Sequence, residues 1–180
     1  MIRLKHLLFE TISDTIALAL QQIKNKQYNL IGSGDNGTVY KIHDTKLVFK
    51  KTSDEFEYNV AAALLRDNNI YNTFIPIHYV DGNNMYIMSN ATDLTPTQLV
   101  EIQKFFSDYK HVMQKSNDDI SILEWGNQQS TYEYSAELIE FISQLYTDCN
   151  LVNIDDLAVD IDFRPENVMQ YNGRMVMVDW

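Results

Sequence analysis

The sequence predicts an α+β fold in which a five-stranded antiparallel sheet with one helix precedes a mainly helical segment. Two observations predict it. Between residues 28 and 88, short runs rich in β-branched and aromatic residues alternate with polar or glycine-rich turns. After residue 95, apolar residues recur every three or four positions, which is typical of amphipathic helices.

The predicted sheet has three strands before its helix and a hairpin after it. The strands are predicted at residues 28–31, 38–42, 47–51, 74–80 and 85–88. A T-x-x-E capping box at 52–55, with Glu55 as a capping residue, begins the intervening helix. Because Phe56, Val60 and Leu64 repeat every four residues, this helix is predicted to extend to about Arg66.

Helices are also predicted on both sides of the sheet segment. The N-terminal helix presents Ile12, Ile16 and Ile23 on one face and is expected to pack on the rest of the fold. A second capping box, with proline at the first helical position, begins at Thr95 and opens a helix towards Gln114.

A loop containing Trp125, a helix at 132–146 and a hairpin at 168–178 are predicted next. We expect a single domain with three parts: the N-terminal helix at 1–27, a first lobe at 28–90 and a second lobe at 91–180.

The composition argues against several classes of function. The 180 residues include 14 Lys and Arg and 25 Asp and Glu, giving a net charge of −11, so we expect no binding to nucleic-acid backbones or anionic membranes. Glu10 and Asp14 interrupt the apolar run of a candidate signal peptide, and no stretch approaches the roughly 18 apolar residues of a membrane span. The single Cys149 cannot form an internal disulfide, so a cytoplasmic protein is predicted.

A glycine-rich segment connects the first two predicted strands. Residues 32–39 read G-S-G-D-N-G-T-V and match the pattern G-x-G-x-x-G-x-V. Glycines let a backbone turn tightly and approach phosphate oxygens without a Cβ in the way. A strand follows the last glycine, whereas a dinucleotide fingerprint requires a helix there. A plain hairpin turn rich in Gly and Asn is the alternative explanation.

Lys50 lies in the third predicted strand, in the run L-V-F-K. Alternation places Val48 and Lys50 on one face of the strand, with Leu47 and Phe49 on the other. An inward lysine needs an anionic partner, which a nucleotide phosphate and the carboxylate of Glu57 would supply. The alternative is a solvated lysine on an edge strand.

The C-terminal segment places a carboxylate and a carboxamide five positions apart. Asp162 and Asn167 flank the run F-R-P-E, and the hairpin after them presents Asp179. Carboxylate and amide oxygens suit Mg²⁺ that bridges phosphates, while Asp162 would remain to accept the proton of an attacking hydroxyl. A solvated acidic loop is the alternative.

In this order, the four segments resemble the motifs of the protein-kinase superfamily. G-S-G-D-N-G-T-V is similar to the glycine-rich loop, L-V-F-K to the strand with the phosphate-binding lysine, and D-F-R-P-E-N to the catalytic loop. V-D-W stands where the metal-binding D-F-G would be. The resemblance spans about residues 28–180 and implies a bilobal kinase-like fold with a truncated, mainly helical second lobe.

The resemblance also implies a role for each motif residue, with ATP and Mg²⁺ as cofactors. Asp162 would be the catalytic base, Arg164 would lie near the γ-phosphate, and Lys50 would hold the α- and β-phosphates. Asn167 and Asp179 would bind the metal. The implied nucleotide-binding residues are Gly32, Ser33, Gly34, Gly37, Val39, Lys50, Glu57, Ser89 and Ala91.

Three features depart from the common kinase pattern. The H-R-D motif is replaced by Asp160-Ile161-Asp162, Trp180 follows the metal-binding aspartate, and the sequence ends there. With its glycine loop, its F-K-K strand and its truncated second lobe, the chain resembles the short Ser/Thr kinases of lytic bacteriophages. A partner protein, a second copy or the substrate itself would then complete the second lobe.

We expect phosphoryl transfer to Ser or Thr of protein substrates, in the host cytoplasm if a phage encodes the chain. Two alternatives remain open. One is a pseudokinase that binds nucleotide without catalysis. The other is a small-molecule kinase similar to the aminoglycoside phosphotransferases, since V-D-W also resembles their motif.

Overall fold

The structure, a computed structural model, describes residues 2–115, 120–129, 133–152 and 161–179, with only the backbone described for residues 2–12. The chain divides into two compact units. Unit 1 comprises Met1–Leu65 and Pro76–Asn90, and unit 2 comprises Arg66–Ile75 and Ala91–Trp180.

Unit 1 is built on a five-stranded antiparallel sheet with the strand order β1-β2-β3-β5-β4. The strands are β1 (Tyr28–Ser33), β2 (Gly37–Ile42), β3 (Leu47–Thr52), β4 (Ile77–Val80) and β5 (Met85–Ser89). The predicted α+β class and five-stranded sheet are confirmed. Strand β3 lies at the centre, because β2 pairs with one of its edges and β5 with the other.

Helices α1 (Ile2–Lys24) and α2 (Glu55–Arg66) complete unit 1. Ala19 of α1 packs in an apolar cluster with residues of the sheet that include Leu47 and Phe49, so the expected packing of the N-terminal helix is confirmed. Successive strand residues point to opposite faces, which places Lys50 on the other face, where it contacts Glu57 of α2. Both faces of the central strand are therefore covered.

The capping box predicted at residues 52–55 is wrong. The side chain of Asp54 caps α2, accepting hydrogen bonds from the backbone N–H groups of Phe56 at 2.8 Å and Glu57 at 3.3 Å. Aspartate is as good an N-cap as threonine, so the pattern alone did not distinguish them. Thr52 instead ends β3, and Glu55 is an exposed residue in the first turn.

The strand predicted at 74–80 is shorter than expected. Strand β4 begins at Ile77, whereas Phe74 and Ile75 belong to unit 2. There Phe74 forms an isolated parallel bridge with Met177, and the N–H of Ile75 donates to the carbonyl of Met177 at 3.0 Å. An apolar run does not reveal which of two pairing partners it will take.

Unit 2 contains helices α3 (Pro96–Met113), α4 (Ile122–Asn127) and α5 (Ala136–Leu151), a 3₁₀ turn at Pro165–Asn167, and strands β6 (Val168–Tyr171) and β7 (Arg174–Met177). The capping box at Thr95 is confirmed, since Thr95 and Gln98 exchange hydrogen bonds of 3.3 and 3.0 Å. The terminal hairpin is also confirmed. Its turn residues Asn172 and Gly173 have φ of 52° and 81°, the left-handed values that a two-residue hairpin turn favours.

Two predictions about the helices of unit 2 are wrong. Trp125, expected in a loop, lies in α4. Helix α5 begins at Ala136, four residues later than predicted, because the hydroxyl of Ser135 accepts from the N–H of Leu138 at 3.2 Å and caps it there.

The core of unit 2 is centred on Phe105, which is fully buried. The rings of Trp125, Tyr134 and Phe163 lie 5.0, 5.3 and 6.1 Å from it, centroid to centroid. Phe163 follows Asp162 directly and is only 3% exposed. This aromatic cluster therefore anchors the segment that carries Asp162.

Within the part of the chain that the structure describes, no helix has both the length and the apolar character needed to cross a membrane.

Close packing within the sheet requires a glycine at position 37 of the hairpin. A Cβ at Gly37 would lie 2.4 Å from the backbone oxygen of Lys51, whereas a Cβ at Gly34 would have no atom within 4 Å. Gly37→Ala should therefore destabilise the chain by about 1–3 kcal/mol through overpacking. Gly34→Ala, the control, should change the free energy of unfolding by less than about 1 kcal/mol. Urea unfolding measures both, and equal effects of the two substitutions would contradict this packing.

Candidate active site

A buried ion pair lies on the central strand of unit 1. Nζ of Lys50 is 2.7 Å from Oε1 of Glu57, and the two side chains are 5% and 1% exposed. Lys50 is thus neither solvated nor on an edge strand, which excludes the alternative considered from the sequence. Burying an unpaired ammonium or carboxylate costs several kcal/mol, so each group needs the other.

Two hydroxyl groups also form hydrogen bonds with the Glu57 carboxylate. The phenol of Tyr86 donates to Oε1, and the hydroxyl of Thr52 is 2.8 Å from Oε2. Tyr86 lies directly opposite Lys50 across β3 and β5. Three donors from two strands therefore hold the carboxylate in one orientation.

Tyr86 and Thr52 were not among the residues singled out from the sequence. The position of Tyr86 depends on the register between β3 and β5, which the chain's local pattern does not reveal. The position of the Thr52 hydroxyl just before a predicted helix indicated helix capping, not a contact with Glu57.

The glycine-rich segment forms the hairpin between β1 and β2, and the N–H of Gly34 donates to the carbonyl of Gly37 at 2.9 Å. Close packing against β3 explains why residue 37 is a glycine. Gly34, by contrast, is exposed, and a Cβ there would have no atom within 4 Å. Val39 pairs with Lys50 across β2 and β3 and therefore shares its face, while Ser33 is exposed.

Ser89, expected to contact adenine, is a buried residue with partners inside unit 1. Its N–H donates to the carbonyl of Pro76 at 3.0 Å, and its hydroxyl lies 2.8 Å from Nε2 of His78. Burial lowers the pKa of His78. Ala91 belongs to unit 2. The adenine-binding role of both residues stays a prediction.

Unit 2 brings Asp162, Arg164 and Asn167 together. Oδ1 of Asp162 is 2.7 Å from Nε of Arg164, and the amide of Asn167 donates to Oδ2 at 3.2 Å and to the backbone oxygen of Asp162 at 2.8 Å. A carbonyl oxygen can only accept, so the amide nitrogen of Asn167 must face Asp162 and its Oδ1 points away. The Asp162 side chain remains 44% exposed.

Asp179 lies close to this cluster through the backbone. The N–H of Val178 donates to the carbonyl of Asn167 at 2.9 Å, which extends the pairing of β6 and β7 to the residue before Asp179. The catalytic and metal-binding residues predicted from the sequence in this segment are thus neighbours. Asp160, Trp180 and the apolar run at 157–159 lie outside the described residues.

The donor set of Asn167 and Asp179 fits a metal that is shared with a phosphate. Amide and carboxylate oxygens are ligands that Mg²⁺ accepts, and it commonly keeps water and substrate phosphates as the others. In the described part of the chain, no group of three or more His, Cys, Asp or Glu residues is placed to hold a metal ion.

A cavity of about 440 Å³ in unit 2 is separate from this cluster. Its lining includes Gly173 and Arg174 at the turn of the terminal hairpin and the carboxylates of Glu137, Glu140 and Asp148. Val178 lies about 14 Å along β7 from Arg174, at roughly 3.4 Å per residue. The cavity is therefore at the far end of the hairpin from Asn167.

Comparisons with known proteins identify similar solved structures. No protein-family model and no curated protein matches the chain. The structure is similar to a choline/ethanolamine kinase family protein from Mesorhizobium loti, with 13% sequence identity and a TM-score of 0.45. The similarity covers 96% of this chain and 64% of that one, so the chain spans less than two thirds of that protein's length.

A double-mutant cycle should measure the Lys50–Glu57 pair. Glu57→Gln keeps polar groups facing Tyr86 and Thr52 but leaves the Lys50 ammonium buried without its counter-charge, so we expect a loss of about 3–5 kcal/mol in unfolding free energy. Adding Lys50→Met removes the buried charge and should restore part of that loss. Chemical denaturation tests this. Additive losses in the double variant would contradict the pairing.

Proposed function

We propose that the chain is an ATP- and Mg²⁺-dependent kinase that phosphorylates Ser or Thr hydroxyls of proteins, encoded by a bacteriophage and acting on host proteins. The observation that carries the proposal is the Lys50–Glu57 ion pair, buried on the central strand beside the glycine hairpin. A fixed cation is an effective group for holding phosphates because it does not have to reorganise when they bind.

Unit 1 would supply the nucleotide-phosphate contacts. Lys50, held in place by Glu57, would direct its ammonium charge to phosphate oxygens. The backbone at Gly34 can approach a phosphate without a side chain in the way. Val39, on the same face as Lys50, would give apolar contact to the nucleotide.

Unit 2 would supply the groups that act on the acceptor hydroxyl. Arg164 and Asn167 hold the two oxygens of Asp162, so the carboxylate is oriented before a substrate binds. Asp162 would position the hydroxyl and accept its proton, and Arg164 would then be available to the γ-phosphate. When bound, Mg²⁺ neutralises phosphate charge, and Asn167 and Asp179 would hold it.

The acceptor class is proposed from the sequence motif. The run Arg164-Pro165-Glu166-Asn167 resembles the catalytic loop of protein kinases, whereas aminoglycoside phosphotransferases usually have a histidine in place of Arg164. This favours protein hydroxyls over small-molecule acceptors.

The test is phosphoryl transfer from labelled ATP to proteins of a bacterial lysate. Asp162→Asn should lower the rate roughly 10²- to 10⁴-fold, the usual contribution of a general base. Glu166→Gln, an exposed change in the same segment, should leave the rate unchanged. Lys50→Met should abolish transfer, whereas Lys51→Met, on the exposed side of the same strand, should not.

Other outcomes would identify the alternatives. Nucleotide binding without transfer to any acceptor would indicate a pseudokinase. Transfer to an aminoglycoside or an amino alcohol, but not to protein, would indicate a small-molecule kinase. Equal transfer by wild type and Asp162→Asn would contradict the assigned base.

A further inference from the structure

The tip of the glycine hairpin is bonded to the connection between β3 and α2. The backbone carbonyl of Asn36 accepts from the N–H of Ser53 at 2.8 Å and from its hydroxyl at 3.2 Å. The side-chain amide of Asn36 donates to Oδ2 of Asp54 at 3.3 Å. The hairpin is therefore fastened at its tip to the residues that precede Glu57.

Thr52 lies between this attachment and the buried ion pair. Its Oγ1 is 2.8 Å from Oε2 of Glu57 and 3.1 Å from the carbonyl oxygen of Asn36. The same oxygen accepts from the N–H of Asp54 at 3.0 Å. Thr52 is buried, so water does not substitute freely for these partners.

A hydroxyl has one hydrogen to donate, and Thr52 has two acceptors for it. Glu57 is nearer and charged, and hydrogen bonds to ionised acceptors are the stronger ones. The Asn36 carbonyl already has two donors from Ser53. Glu57 is therefore the favoured acceptor, and the Asn36 carbonyl, 3.1 Å away, is the second acceptor of the same hydroxyl.

We propose that Thr52 is a positioning residue that couples the glycine hairpin to the Lys50–Glu57 pair. It bonds Oε2 of Glu57, whereas the 2.7 Å contact of Lys50 is with Oε1, and its second acceptor is the carbonyl at the hairpin tip. Phosphate contacts made by the hairpin and by Lys50 then depend on one another. This inference rests on the proposed nucleotide-binding function.

Nucleotide binding tests the coupling. Thr52→Val keeps the shape of the side chain but removes the hydroxyl, and it should weaken binding of a Mg²⁺-bound non-hydrolysable ATP analogue about tenfold, as expected for a lost bond to a charged group. Thr52→Ser should restore wild-type affinity. Ser53→Ala, which removes another hydroxyl from the Asn36 carbonyl without contacting Glu57, should stay within about twofold.

The effect of Thr52→Val in a second background distinguishes a positioning role of Thr52 from a general contribution to the stability of the fold. In a Lys50→Met background, Thr52→Val should change affinity by less than about twofold, because no lysine remains to be coupled. Titration calorimetry gives these affinities, and urea unfolding shows that each variant is folded. Wild-type affinity in Thr52→Val, or the same tenfold loss in the Lys50→Met background, would overturn the proposal.

A second measurement is independent of nucleotide. In the ligand-free chain, Thr52→Val should speed amide hydrogen exchange at Gly34 about threefold relative to amides of α3, because the hairpin loses a restraint at its tip. Unchanged exchange at Gly34 would overturn the coupling even if the wild type binds no nucleotide. Failure of wild-type binding alone would instead contradict the proposed function.

Discussion

The burial of the Lys50 ammonium is the constraint on which unit 1 depends. Its charge is tolerated inside the protein because Glu57 lies 2.7 Å away and because hydroxyls of Tyr86 and Thr52 also bond to the carboxylate. That arrangement requires β3 at the centre of the sheet and α2 against one face. It also requires the cap at Asp54, which sets the first turn of α2 and so the direction of Glu57.

Unit 2 differs from unit 1 because the side chains of its candidate site are partly exposed to solvent. Asp162 and Arg164 are about half exposed, so packing cannot hold them directly. Instead, Phe163 inserts into the aromatic cluster around Phe105, and Asn167 ties the segment to the terminal hairpin. Buried neighbours on either side thus fix exposed polar groups, which is how a binding loop becomes precise without being buried.

Local patterns predicted much of this arrangement, and long-range contacts account for what they missed. Alternation along L-V-F-K placed Lys50 on the inner face, and its pairing with Glu57 was anticipated because a buried lysine needs a carboxylate. Residues 74–76 were misassigned because Phe74 pairs with Met177, about a hundred positions away in the sequence. Tyr86 was missed for the same reason, since only the register across β3 and β5 brings it to Glu57.

We propose that Asn167 and Asp179 bind a metal together with nucleotide phosphates. Calorimetric titration of wild type and Asp179→Asn with a non-hydrolysable ATP analogue, in Mg²⁺ and in a chelator, tests it most directly. We expect Mg²⁺ to tighten binding in the wild type, and we expect Asp179→Asn to lose that gain while keeping its affinity in the chelator. If the wild type binds the analogue with the same affinity with and without Mg²⁺, the proposed metal site is contradicted.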